Sequence, residues 1–244
     1  MIVGSTQRHH GADTAVECFP TERELLLAWS TLMRRSGATV LSGYNIYRFD
    51  NPYTAARADR LRDRFFWHFG AYLCQPAALQ EFRLESAAFG QNEGHTFDAP
   101  GKIVLDAMQY VQMNYKLPLY GLNYVAKHFL GNCKTDLDIA TMWRLVERQQ
   151  FDELIAYVRR DGELVQELLE HQHVVVSIGE MCRATSTFPT AILTRGQQIR
   201  VMNRLRRSCA ARGVCVRAPP PMPKRRFIGA RVVAPHVGFY PPAK

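Results

Sequence analysis

Acidic side chains are missing from the last quarter of this sequence. Residues 181–244 hold thirteen Lys or Arg and no Asp or Glu, so the first 180 residues carry eighteen basic against twenty-two acidic side chains. A mildly acidic body joined to a strongly basic tail points to a polyanion as the tail's partner, a solvated basic face being the bland alternative. Cysteine pairing is also lacking. Cys18, Cys74, Cys133, Cys182, Cys209 and Cys215 form no CxxC and no zinc-finger spacing, which argues against a disulfide framework and for reduced thiols in an intracellular protein. His171 and His173 lie two apart with no nearby cysteine to complete a zinc set. No run approaches the roughly 18 consecutive apolar residues of a membrane span, and the first residues do not resemble a signal peptide. No membrane is expected as a partner. There is no internal repeat at solenoid periods.

What is present is enough apolar material, 47% of residues, to bury a sizeable core. Thr21-Glu22-Arg23-Glu24 reads as a capping box opening a helix to about Arg35, with Leu25, Trp29, Leu32 and Met33 on one face. Residues 38–43 read as a buried strand, 44–50 as a loop, and Asn51-Pro52 as the start of a helix to about Arg64. Residues 91–101 carry turn residues and are expected as an exposed loop. The stretch 102–112 begins as a strand and turns helical; 119–130 is helical, with Leu122, Val125 and Phe129 at helical spacing. Two amphipathic helices over about 136–171 are separated near Gln150, the second with Leu154, Val158, Val165 and Leu168 inward. One arginine-rich helix is expected over 190–212 with Gly213 as its C-cap. An extended linker, 218–224, precedes a β-hairpin over 227–240. This alternation is an α/β pattern.

Three residues carry the candidate chemistry. Asp50 stands at the end of a loop and directly before a helix. Tyr157 and Asp161 are four apart on one helix, so they project from one face on successive turns. Asp161 falls between Val158 and Val165, close to the buried stripe, where a divalent cation would compensate an ionised carboxylate. Taken singly, each has a bland reading: a helix-start aspartate, a core tyrosine, a solvated aspartate. Only their ordered combination is informative.

That combination resembles family B DNA polymerases of the delta-like type found in nuclear replicases and large DNA viruses. Residues 42–53, Ser-Gly-Tyr-Asn-Ile-Tyr-Arg-Phe-Asp-Asn-Pro-Tyr, are similar to the family's second exonuclease motif, and Tyr157 to Asp161 to its third. Tyr115-Lys116-Leu117, Tyr120 to Ala126 and Phe129-Leu130-Gly131 follow the intervening segment. Thr194-Arg195-Gly196-Gln197-Gln198-Ile199-Arg200-Val201 matches the Arg-Gly-Gln-Gln-Ile stretch, and Phe227-Ile228-Gly229-Ala230 the segment coupling exonuclease and polymerase modules. The matches are collinear over roughly residues 20–240. There are departures. Only 49 residues precede Asp50 and none form the family's first motif, Asp-x-Glu; Gly162 replaces an alanine, and Phe227 a tyrosine. The polymerase carboxylate motifs lie beyond Lys244, so the chain reads as an internal piece of a larger or split polymerase.

The resemblance implies an incomplete ribonuclease H-like 3′→5′ exonuclease domain over 1–172. A basic helical connecting region would follow over 173–217, then a Pro-rich linker, 218–226, and a β-hairpin, 227–244, leading into the palm. By analogy Asp50 and Asp161 are metal ligands for two Mg²⁺ (or Mn²⁺) ions, and Tyr157 orients the attacking water. Asn45, Phe49, Leu122, Arg195, Arg200 and Gly229 contact DNA, either a single-stranded primer end or the primer-template. For Phe49 core packing is the stronger alternative. The implied partners are DNA and the remaining polymerase domains or a sliding clamp, in the nucleus or at a viral replication site. With two of four carboxylates missing, the isolated chain is expected to be a poor nuclease. The rival readings are a non-catalytic nucleic-acid-binding module and a scaffold whose tail docks an acidic protein.

Overall fold

The computed structural model describes residues 10–11, 14–86, 90–131, 138–217 and 237–238. The elements in order are β1 (His10–Gly11), β2 (Thr14–Ala15), α1 (Glu22–Arg35), β3 (Val40–Gly43) and α2 (Asp50–Arg60). A 3-10 turn (Phe66–His68) leads to β4 (Ala78–Ser86), β5 (Gly90–Asp98), β6 (Ile103–Asp106) and α3 (Ala107–Asn114). The rest is helical: α4 (Leu122–Leu130), α5 (Ile139–Glu147), α6 (Phe151–His171), α7 (Val174–Thr185), α8 (Pro189–Thr194) and α9 (Gln197–Ala210). Helices and strands mix as expected for an α/β domain.

Local chemistry explains most helix ends. Thr21 caps α1 by accepting the Glu24 amide at 3.3 Å, with Glu22 and Glu24 in the first turn and Arg34 and Arg35 in the last, a charge order that suits the helix dipole. Asp138 caps α5 through the Thr141 amide at 2.6 Å, and Gly131 closes α4 in the left-handed conformation. Asn51 does not cap α2. The helix begins one residue earlier, and the side-chain Nδ2 of the buried Asn51 instead donates to the His95 carbonyl at 3.0 Å.

Two strands, β3 and β6, run parallel from Val40↔Ile103 to Gly43↔Asp106. Among the described residues β3 pairs with β6 alone. The other large sheet is the β4–β5 hairpin, antiparallel from Ala78↔Asp98 to Ser86↔Gly90. Here the exposed loop expected over 91–101 is overturned. The sequence of β5 is rich in turn-formers, but pairing with β4 imposes strand geometry, tertiary context overriding weak β-propensity.

The main core gathers Leu26, Tyr47, Phe66, Phe69, Phe97, Val104 and Leu105, and the helices after 173 add Val174, Ile178, Ile192 and Leu193 to it. Phe66 is its centre: its ring stacks on Trp29 at 5.5 Å and meets Phe69 at 5.8 Å and Phe97 at 6.3 Å. A second cluster of Val111, Val125 and Leu168 joins α3, α4 and α6. Arg57 of α2 reaches α1, its Nε donating to Glu22 Oε1 at 2.6 Å. Two inward assignments fail. Leu32 (60% exposed) and Val158 (51%) lie on solvent faces, and Leu164 takes the buried place on α6. The single helix expected over 190–212 is α8 and α9, broken at Arg195–Gly196. The 218–226 linker, the 227–240 hairpin apart from Val237–Gly238, Gly229 and Cys133 lie outside the described residues.

Gly101 turns the chain between β5 and β6 at φ +77°, and a Cβ there would lie 2.5 Å from the Ala71 Cβ. Gly101→Ala is expected to lose about 2 kcal/mol or more, the left-handed penalty plus the clash. Urea denaturation of the variant against the parent chain measures it.

Candidate functional site

Four helical or loop segments converge on one cavity of about 610 Å³. The 42–46 segment, leaving the end of β3, contributes Ser42, Gly43, Tyr44 and Ile46; α2 contributes Asp50, α4 Leu122, and α6 Asp161, Gly162, Val165, Gln166 and Leu169. Asp50 and Asp161, 111 positions apart in sequence, therefore face the same space. Leu122 forms part of its wall. Tyr157, one turn before Asp161, is half-buried and does not line the cavity.

The loop that delivers Asp50 is held from beneath. Asn45 adopts φ +62°, uncommon for a residue with a side chain. Its amide and that of Tyr47 each donate at 2.9 Å to the Asp106 carboxylate. The Tyr44 hydroxyl donates to the Tyr120 carbonyl at 2.6 Å, and the Tyr47 hydroxyl to the Val104 carbonyl at 2.7 Å. Burial, with the Asp106 carboxylate nearby, pushes both phenols well above their usual pKa, so they act as neutral donors. Burial also pushes the Asp106 carboxyl up, against its backbone hydrogen bonds, and desolvation raises Asp50. A cation beside Asp50 would favour the ionised form that desolvation disfavours.

The polar lining of the cavity is oxygen-bearing: the Asp50 and Asp161 carboxylates, with Gln166, Ser42 and Tyr44 beside them, the two hydroxyls donating to the Leu105 and Tyr120 carbonyls. That suits a divalent ion of the Mg²⁺ type rather than a soft metal. Among the described residues no three His, Cys, Asp or Glu side chains converge, so the acidic donors at this cavity number two, too few for a pair of ions. Nor is any helix among them long and apolar enough to cross a membrane.

The predicted nucleic-acid contacts divide into two groups. Asn45 and Phe49 belong to the loop that delivers Asp50, and neither lines the cavity itself. The Asn45 Oδ1 is buried without a hydrogen-bond partner among the described residues. Phe49 is 65% exposed and lies parallel to Tyr53, 58% exposed, with ring centroids 6.1 Å apart, so the core-packing alternative for Phe49 is overturned. Arg195 is exposed at the α8–α9 break. Arg200 is half-buried and donates to the Ile192 carbonyl at 2.8 Å, which ties α9 to α8. Tyr53, Tyr44 and Asp106 escaped the sequence reading. For Asp106 a signal was available: an aspartate closing an apolar strand directly before a helix is a cap.

Residues 4–125 match the model of the exonuclease domain of DNA polymerase family B. Over the longer span, the DNA polymerase delta catalytic subunit of Bos taurus is 32% identical over 227 residues, 92% of this chain and 20% of the relative. The subunit of the same name from Drosophila melanogaster is 32% identical over 92% of the chain, and that from Schizosaccharomyces pombe 33% over 93%, each aligned over 21% of its own length. The chain thus spans about one-fifth of the curated relatives it matches.

Proposed function

Because the chain belongs to the exonuclease-domain family of family B DNA polymerases, we propose that it forms the part of a proofreading 3′→5′ exonuclease that carries the second and third acidic motifs. The fold would be ribonuclease H-like and the setting a DNA-directed DNA polymerase, at work in the nucleus or at a viral replication site. The observation that carries this reading is the shared cavity of Asp50 and Asp161.

In this reading Asp50 and Asp161 hold Mg²⁺ or Mn²⁺ at the cavity. When bound, the metal lowers the pKa of an attacking water and stabilises charge on the attacking and leaving oxygens of a phosphodiester. Tyr157, one helical turn from Asp161 and outside the cavity lining, would orient the water by turning inward when the substrate binds. The unpartnered Asn45 Oδ1 and the exposed Phe49–Tyr53 pair receive the unpaired primer end, since aromatic faces stack on any base. Leu122 bounds the base side of the cavity. Arg195 and the exposed arginines of α9 run along phosphates, Arg200 supports them by tying α9 to α8, and Gly229 belongs to the segment that couples the region to a palm. A second ion needs further carboxylates. An extended segment pairing with β3 on the side where no described residue does would bring alternate side chains over the cavity. The remaining polymerase domains or a sliding clamp are the protein partners.

The absence of a third acidic ligand among the described residues favours one alternative, a non-catalytic nucleic-acid-binding module. A labelled single-stranded oligonucleotide with Mg²⁺ separates the two. The chain alone is expected to trim slowly. With the region that precedes the aligned segment in the Bos taurus relative appended, it should trim from the 3′ end, and Asp161→Ala should remove that activity. An inert appended chain, or trimming indifferent to Asp161→Ala, overturns the nuclease reading in favour of the module.

A further inference from the structure

We infer that Asp106 is the positioning residue of the cavity: a buried carboxylate that sets the Asn45–Tyr47 loop and through it the placement of Asp50, an assignment that rests on the nuclease reading above. Asp106 is 2% exposed and does not line the cavity, so it is not itself a ligand. Its two oxygens are divided. One accepts the amides of Asn45 at 2.9 Å, Met108 at 2.9 Å and Gln109 at 3.3 Å. The other accepts the Tyr47 amide at 2.9 Å.

An N-cap needs only one acceptor directed at the first turn of its helix. For α3, the oxygen facing Met108 and Gln109 meets that need. The bonds to Asn45 and Tyr47 span 61 and 59 positions of sequence and contribute nothing to capping. They hold a loop whose conformation is otherwise disfavoured, Asn45 being at positive φ. Beyond Tyr47 the loop is continuous with α2: the Asn51 amide donates to the Ile46 carbonyl at 2.9 Å, and the His95 amide to the Tyr47 carbonyl at 2.7 Å. Moving the loop therefore moves the first turn of α2, where Asp50 sits. One buried carboxyl registers the end of β6, the start of α3 and the loop that delivers a cavity carboxylate. Only a side chain with two acceptor oxygens does all three, since an amide would turn an N–H toward the Tyr47 N–H and a hydroxyl is too short to reach the loop.

The variants follow from that division. Asp106→Asn and Asp106→Ser both keep a good cap for α3, but the first breaks the Tyr47 bond and the second both loop bonds. Mn²⁺ binding to the chain is read by electron paramagnetic resonance, and amide exchange by NMR. Asp50→Ala and Asp161→Ala should each abolish the Mn²⁺ site. Asp106→Ser should weaken Mn²⁺ by about tenfold or more, the factor corresponding to one charge-assisted hydrogen bond, and Asp106→Asn by less. The Tyr47 amide should exchange faster in both variants and the Asn45 amide in the Ser variant, while the α3 amides stay protected. Unchanged Mn²⁺ affinity or unchanged loop exchange in both Asp106 variants overturns the inference and leaves the cavity reading standing. Loss of α3 protection with an intact loop overturns it too, making Asp106 a cap alone. No Mn²⁺ binding by the parent chain, or binding indifferent to Asp50→Ala, overturns the cavity reading and this inference with it.

Discussion

Phe66→Ala is expected to destabilise the chain by roughly 3–5 kcal/mol, the range for deleting a fully buried aromatic ring from a core that relaxes only partly. Phe66 is 0% exposed and its ring contacts Trp29, Trp67, Phe69 and Phe97. Four aromatic side chains cannot collapse into the space of a fifth without leaving their own rotamers, so the cavity persists and its cost adds to the lost transfer free energy. Set against a typical domain stability of about 5–15 kcal/mol, this removes a large fraction. Urea denaturation followed by tryptophan fluorescence measures it, and Phe66→Leu should recover more than half of the loss. A small effect would mean that the Trp29–Phe97 cluster is looser than its ring distances imply.

The second large effect concerns α9 and its flanks. Arg195, Arg204, Arg206 and Arg212 are exposed, and the adjoining segment to 217 carries no acidic neutraliser. Each arginine that neutralises a phosphate of single-stranded DNA adds about 0.7 to the slope of log K against log salt. Replacing all four by glutamine should therefore flatten that slope by about 3 and weaken binding most at low salt. Replacing Arg23 and Arg35, exposed on α1, should leave the slope unchanged. Fluorescence anisotropy with a labelled oligothymidine across 50–200 mM NaCl reads both. Equal flattening in the two variants would show that the grip is net charge rather than a basic helix. Arg207 is omitted because its guanidinium already donates to Ser186 Oγ at 2.9 Å.

What the sequence made legible was local. The cap at Thr21 and the strand-to-helix switch near Asp106 follow from near-neighbour hydrogen bonding and periodicity, and the structure reproduces them. Asp50 and Asp161 could be named because each sits in a recognisable short motif, but their common cavity depends on α6 packing on α4 beside the 42–46 segment, which no local pattern encodes. Failures came where distant partners decide. The sequence of β5 carries Gly90, Gly94 and Asn92, and becomes a strand only because β4 offers a ladder. Val158 fits a helical stripe by spacing yet faces solvent, since the contact face of α6 is set by α4 and α5. Asp106 was invisible as a loop clamp for the same reason: half of its partners lie some sixty positions earlier.

That β3 and β6 have no further partner strand among the described residues has a practical corollary for handling the protein. Parallel strands are ordinarily enclosed by neighbours on either side, and an unmatched row of backbone amides and carbonyls is a template for intermolecular zippering. Purified at high concentration, the polypeptide should self-associate in a dose-dependent manner, read by light scattering and thioflavin fluorescence. A lysine placed at Ser42, exposed beside the rim, should keep it monomeric to higher concentration.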